Sequence, residues 1–187
     1  MSVKSLELPA YDPRGAYGMA LAYVTSNRGG CHLRAYPISH EILRKPVPTD
    51  RFSFSGKARI IKIAEDVNAA VDSLVACKFA FFGATLEEYG ELLSAVTGME
   101  YGPESLKVIG ERIYLTERFY NCENGFGHAQ DSLPRRFFEE AGSSGEGIDV
   151  PPIDRARFEE ELQKYYRIRG LDENGCFGGR NLLEEQP

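Results

Sequence analysis

The sequence has no close pair of cysteines, no long apolar run and no cluster of basic residues, and each absence removes a class of function. Four cysteines, Cys31, Cys77, Cys122 and Cys176, are scattered along 187 residues with no CxxC spacing. A self-contained zinc or iron–sulfur site needs such close pairs. In a chain of this length the four read as separate free thiols, and a disulfide framework is not expected. Every apolar stretch falls far short of the roughly 20 residues that span a bilayer, so no membrane partner is expected. Net charge is −6, and no Lys/Arg run gives the footprint of a phosphate-backbone reader, so nucleic acid is not expected as a partner either. The opening residues, 1–15, lack the apolar core of a secretory signal, which points to a cytoplasmic protein. Period-two alternation is almost absent, and no internal repeat is visible.

What is present is enough apolar material for a core, with 42% hydrophobic and 11% aromatic residues. Residues 1–16 read as extended, because Pro9 and Pro13 restrict the residues before them and Asp12-Pro13-Arg14-Gly15 has turn chemistry. A short helix is expected over Tyr17–Ser26, ended by Gly29-Gly30, with Cys31–Tyr36 as a compact loop or strand. The clearest helix is Lys57–Ala76. Its apolar residues Ile60, Ile63, Ala64, Val67, Ala70, Val71 and Leu74 fall at helical spacing. Thr85 and Glu88 form a capping-box pattern that opens a helix through Val96, stopped at Gly98. Pro103 suits the first position of the next helix, whose core face would use Leu106, Ile109, Ile113 and Tyr120; Asn121–Gly127 ends it. Ala141–Pro152 reads as a loop, and a last helix starts near Asp154 with Phe158, Leu162 and Tyr165 on one face. The expected class is mainly α: an irregular multi-helix domain with little or no sheet.

Three clusters carry side chains capable of chemistry. In Asn27–Arg34, Arg28 and Arg34 flank His32 beside paired glycines. The guanidinium fork suits anionic oxygens, the imidazole suits proton transfer near neutrality, and the glycines permit close backbone approach to a ligand. A tight turn with solvated arginines is the plain alternative. In Asp72–Phe79, an acid sits in the last turn of a helix, where the helix dipole disfavours it unless a partner compensates. Cys77 follows among aromatic residues. A buried thiol and a solvated carboxylate would explain these equally. In Tyr11–Gly15, Arg14 is held in a proline-stiffened turn beside Asp12, either towards an anionic ligand or as a local ion pair.

Taken together and in order, ELPAYDPRG at 7–15, GMALAYVTSNRGGCHLRAYPIS at 18–39 and DSLVACKF at 72–79 resemble the tungstopterin aldehyde ferredoxin oxidoreductase family. Weaker agreement continues through LLSAVTG at 92–98, GERIYLTERFYN at 110–121, DSLPRRFFEE at 131–140 and YYRIRGLDENG at 165–175. The resemblance implies one tungsten, or molybdenum, held by two pterin dithiolenes beside a [4Fe–4S] cluster. It also implies oxidation of an aldehyde to a carboxylic acid with ferredoxin as electron acceptor. By resemblance, His32 is the catalytic proton shuttle or substrate-orienting donor. Arg28, Arg34, Asp72 and the backbone of Lys78 contact the pterin, and Cys77 is the fourth cluster ligand. The family's Asp-x-x-Gly-Leu-Cys motif reads Asp72-Ser73-Leu74-Val75-Ala76-Cys77 here. A β-branched Val75 in place of glycine resists positive φ, so either the loop backbone differs or the cofactor contact weakens.

The family's remaining three cluster cysteines, in a CxxCxxxC run, and its N-terminal pterin-binding domain have no counterpart in the sequence. Residues 1–187 are therefore expected to be the C-terminal helical region of such an enzyme, inactive without an N-terminal part or partner subunit. The alternative is a non-catalytic helical module for assembly or partner binding.

Overall fold

Lys4 and Ser5 both hold positive φ, 48° and 64°, the geometry of a tight two-residue hairpin turn. The structure is a computed structural model describing residues 1–81 and 83–178, with Lys78 and Phe81 described in their backbone alone. Strands β1 (Ser2–Val3) and β2 (Leu6–Glu7) pair antiparallel, with Ser2 opposite Glu7. The opening stretch is therefore a small hairpin rather than simply extended, and a 3₁₀ turn follows at Pro13–Gly15. The turn aims the Lys4 ammonium inward, where Nζ meets Asp131 Oδ1 at 2.6 Å and the carbonyl of Ser26 at 3.1 Å.

Helix α1 (Tyr17–Thr25) is buried along its whole length and forms the centre of the fold. Its sequence is apolar on every side, as a fully enclosed helix requires. A short α2 (Ile38–Glu41) leads to α3 (Lys57–Ser73), and α4 (Lys78–Phe81) follows directly. Helix α5 (Leu86–Thr97) opens on the expected Thr85–Glu88 capping box and stops at Gly98. Helix α6 (Pro103–Glu123) begins at Pro103, α7 (Arg136–Glu139) is one turn, and α8 (Arg155–Arg169) is capped by the Asp154 carboxylate. The fold is mainly α, with a single two-stranded sheet among the described residues. No helix among them is long and apolar enough to cross a membrane.

Helix α3 is the hub and packs on α6, α8 and α1. A Cβ on Gly110 would stand 1.9 Å from the carbonyl oxygen of Asp66, so the α3–α6 crossing is possible only with glycine there. The stripes read from sequence need correction on both helices. On α3, Ile63 faces outward, while Ala58, Ile61, Glu65, Asp66, Ala69 and Val71 are buried. On α6, Leu106 is buried as expected, but Gly110, Tyr114 and Arg118 complete the inner face and Tyr120 is exposed. In both cases buried ionised groups widen the inner face beyond the apolar stripe, because partners await them. Arg169 Nη2 meets Glu65 Oε2 at 2.9 Å, and Arg169 also binds Asp66. Glu65 further accepts from the hydroxyls of Tyr165 and Thr25, each at 2.6 Å. Arg118 Nη2 meets Asp131 Oδ2 at 2.6 Å, opposite Lys4.

The cysteines also depart from expectation. Cys122, at the end of α6, and Cys176, beyond α8, form a disulfide with their Cα atoms 5.9 Å apart. Arg118 donates to the carbonyl of Gly175 and so draws the two segments together. Cys31 and Cys77 are free thiols, as expected.

Candidate functional site

The loop after α1 is pressed onto the hairpin. Gly30 donates to the carbonyl of Val3 at 3.1 Å, and a Cβ on Gly29 would lie 2.6 Å from that oxygen. Gly29 has φ +102°, so both space and backbone demand glycine. The close approach that the glycines allow is to the chain's own β1. From this base the loop presents Arg28 exposed and His32 half-buried.

The His32 ring packs beside two tyrosines in a three-ring cluster, 5.4 Å from the centroid of Tyr11 and 6.2 Å from that of Tyr36, which are 6.2 Å from each other. Burial first, and the positive charge of Arg28 second, push the imidazole pKa below its ordinary value. His32 is thereby biased towards the neutral form that can accept a proton.

Arg34 spans from this loop to the end of α3. Its Nη1 donates to Asp72 Oδ2 at 3.1 Å, and its Nη2 stands 4.0 Å from Glu117 Oε1 on α6. The Asn68 amide donates to the carbonyl of Arg34 at 2.9 Å. The Nε of Arg34 is buried and has no hydrogen-bond partner. Asp72 thus has the compensating cation that its place at a helix C-terminus requires. Glu117 is also part of a groove of about 450 Å³ along α6, lined by Ile109, Ile113, Thr116 and Tyr120. Ile113 and Tyr120, read from sequence as core, line this surface groove instead, while Ile109 borders it and also packs against the core cluster of Ala70, Val71, Leu86 and Leu106.

Helix α3 ends at Ser73, short of the expected Ala76. Val75 donates to the carbonyl of Asp72 at 3.0 Å, and Ala76 to that of Val71 at 3.4 Å. These are the two bonds of a Schellman cap, which places its C′ residue in the left-handed region. Val75 occupies that position with φ +58° and is 93% exposed. Val75 thus holds a left-handed conformation of the kind that favours glycine, and bears its strain. Cys77 then stands exposed. The side chain of Lys78 lies outside the described residues.

Arg14 proves to be a clasp. It is buried, binds Asp12 at 2.6 Å, and donates to the carbonyls of Glu140 and Ala141 at 3.0 and 2.8 Å. The structure therefore brings Arg34 onto Asp72 and leaves Arg28 beside His32. Among the described residues no group of three or more His, Cys, Asp or Glu is placed to hold a metal ion. The partners missed from sequence are Tyr36, Glu117 and Asn68. Glu117 and Asn68 reach the site through tertiary packing and Tyr36 through an irregular local turn, and neither leaves a periodic signal.

Fold and site define a helical unit that sets a cationic, histidine-bearing loop against the acidic end of its hub helix. The chain belongs to the aldehyde ferredoxin oxidoreductase family: a family model described as "Aldehyde ferredoxin oxidoreductase, domains 2 & 3" matches residues 1–184. It is 42% identical over 188 residues to the tungsten-containing aldehyde ferredoxin oxidoreductase of Pyrococcus furiosus, covering 98% of this chain and 30% of that protein. The corresponding protein of Thermococcus kodakarensis is 42% identical over 177 residues, and that of Pyrococcus horikoshii 40% over 186. These matches cover 94% and 98% of this chain, and 29% and 30% of those proteins. The chain thus spans about 30% of the length of the curated relatives it matches.

Proposed function

We propose that this chain is the C-terminal cofactor-facing part of a tungstopterin oxidoreductase that oxidises aldehydes to carboxylic acids and works only with the remainder of such an enzyme. The observation that carries the reading is the Arg34–Asp72 pair with its buried, unpartnered Nε, set beside an exposed Arg28. Two guanidinium groups suit the phosphates of a pterin, and a carboxylate suits its amino groups, so the residues present fit that ligand. A bis-pterin tungsten, or molybdenum, centre would supply the two-electron oxidation, with ferredoxin as the final acceptor.

The chain's own residues have distinct tasks in this reading. Arg28 and Arg34 hold anionic oxygens, and Asp72 orients the pterin while fixing Arg34. His32, neutral by default, takes up a proton at an imidazole nitrogen as water adds across the aldehyde carbonyl. Lys78 adds a backbone contact. Cys77 offers one thiolate to a [4Fe–4S] cluster, so the other three must come from outside this chain. Its exposure suits a ligand shared with another protein surface. Protein synthesis in the cytoplasm, where ferredoxin and metal-loading systems reside, completes the proposal.

A second reading, a non-catalytic helical module for assembly, is favoured by one observation: Val75 strains the cap that precedes Cys77. Co-expression with the remainder of a family enzyme, followed by elemental analysis for W, Mo and Fe, separates the two. Metal and aldehyde oxidation, abolished by His32→Ala and Cys77→Ser, support the first reading. A stable complex without metal would overturn it in favour of the second.

A further inference from the structure

We propose that Tyr11 and Tyr36 are positioning residues for His32: their hydroxyls lie within hydrogen-bond reach of each other, and the paired rings clamp one side of the imidazole and hold it in one orientation. The inference deepens the reading of His32 as the proton-handling group and rests on it. Among the described residues, the ring contacts of the His32 imidazole are to tyrosines. Tyr11 is tilted 41° to the imidazole and Tyr36 is tilted 52°. The two tyrosines meet edge to face at 89°, 6.2 Å apart, and their hydroxyl oxygens are 3.3 Å apart, within hydrogen-bond reach.

Each ring is also fixed at its backbone. The carbonyl of Tyr11 accepts from the hydroxyl of the fully buried Tyr23 at 2.9 Å. The amide of Tyr36 donates to the carbonyl of His32 at 3.1 Å, closing a turn that returns the Tyr36 ring to the imidazole four residues back. The Ser39 hydroxyl donates to the Tyr36 carbonyl at 3.3 Å. Tyr36 holds φ +50°, a conformation uncommon for a bulky residue. Outliers of this kind collect where a fixed geometry is required, and here the geometry brings a second ring beside His32. Tyr11 also borders a cavity of about 560 Å³ with Ile38, Ile42 and Arg51.

The test follows the His32 imidazole by NMR titration in this chain, with His32→Gln to assign its signal among the three histidines. Burial is the main influence on its proton affinity and Arg28 the charged one, so loosening the clamp admits water and raises the titration midpoint. Tyr11→Phe and Tyr36→Phe should each raise it by about 0.3–0.5 unit. The double variant should raise it no further, because either change breaks the same bond. Fixed ring contacts from the imidazole to both tyrosines, lost in the variants, are the matching spectroscopic sign. Unmoved titrations, additive shifts, or a change in melting temperature alone would overturn the clamp. Full activity of His32→Gln in a complete, metal-loaded enzyme would instead overturn the role of His32 and leave the clamp standing.

Discussion

Replacing Val75 by glycine should stabilise the chain, although it deletes an apolar side chain. Val75 occupies the C′ position of the α3 cap at φ +58°. The left-handed region costs an L-residue about 1–2 kcal/mol, with a β-branched side chain towards the upper end. Glycine removes that strain but loses about 0.5–1 kcal/mol through the greater freedom of its unfolded chain. The side chain is 93% exposed, so almost no burial is forfeited. The net expectation is a gain of about 1 kcal/mol, or about 2–4 °C in melting temperature for a domain of this size. Guanidinium unfolding should show a higher midpoint at unchanged slope, which identifies a stability change without a change in compactness. Val75→Ala, which keeps the Cβ, should recover less than half of the gain. A neutral or destabilising Val75→Gly would refute the reasoning, since it would mean that the valine makes contacts its exposure denies. A gain in the chain alone combined with weaker assembly in the complete enzyme would place the valine at the covering surface.

Three further perturbations test the interior. Asp131→Asn removes the carboxylate shared by Lys4 and Arg118, and breaking such a buried pair should cost about 3–5 kcal/mol in chemical unfolding. Burial alone would raise the Asp131 carboxyl, but the two cations hold it below the ordinary carboxylate value. Its contribution is therefore intact above about pH 4 and lost as pH falls through the depressed folded value, so melting temperature against pH should fall less steeply for the variant. Cys122→Ser opens a link across 54 residues and should lower stability by about 4 kcal/mol on the chain-entropy account, with a reductant reproducing the loss in the parent chain. Gly110→Ala forces a Cβ into the Asp66 carbonyl at 1.9 Å and should cost about 3 kcal/mol or more, read as a lowered unfolding midpoint.

Local chemistry made much of this fold legible. The Thr85–Glu88 box, Pro103 at the first turn of α6 and the Asp154 cap each act within four residues, and each boundary lies where those residues place it. The motif strings likewise placed the chain in its family. What escaped depends on partners distant in sequence. Glu65 and Asp66, absent from the apolar stripe of α3, are buried because Arg169, more than 100 positions away, supplies the compensating charge. Ile63, an apolar residue at helical spacing, faces outward because the ionised side chains take the inner positions. The Cys122–Cys176 pair was invisible for the same reason, since spacing says nothing about two segments brought together by Arg118. In the candidate site, Arg28, His32, Arg34, Asp72 and Cys77 stood out by residue type and order. Tyr36 and Glu117 had no such signal, because their relevance comes only from the rings and guanidinium they meet.

The candidate site has two halves that differ in how firmly the fold holds them. The loop bearing His32 and Arg34 is seated on β1 through Gly30, tied to α3 through Asn68 and closed by the Tyr36 turn. The hairpin beneath it is itself anchored by Lys4 in the interior, beside the Asp131 carboxylate that also binds Arg118 and Tyr166. Rigid backing of this kind is what the proposed role of His32 needs, because small displacements of a proton-handling side chain would be expensive in rate. The half bearing Cys77 follows a strained cap, and its neighbours Val75 and Phe79 are exposed, at 93% and 80%. If Cys77 serves as the cluster ligand proposed above, it is fixed only when other ligands and a covering surface reach it. In the proposed function the division suits a cradle completed from outside: the chain would supply a preformed wall at His32 and Arg34, and the thiolate edge would gain its geometry on assembly. On this argument, substitutions behind the first half should act through the chain's own stability, and those around Cys77 through retention of metal in the complete enzyme.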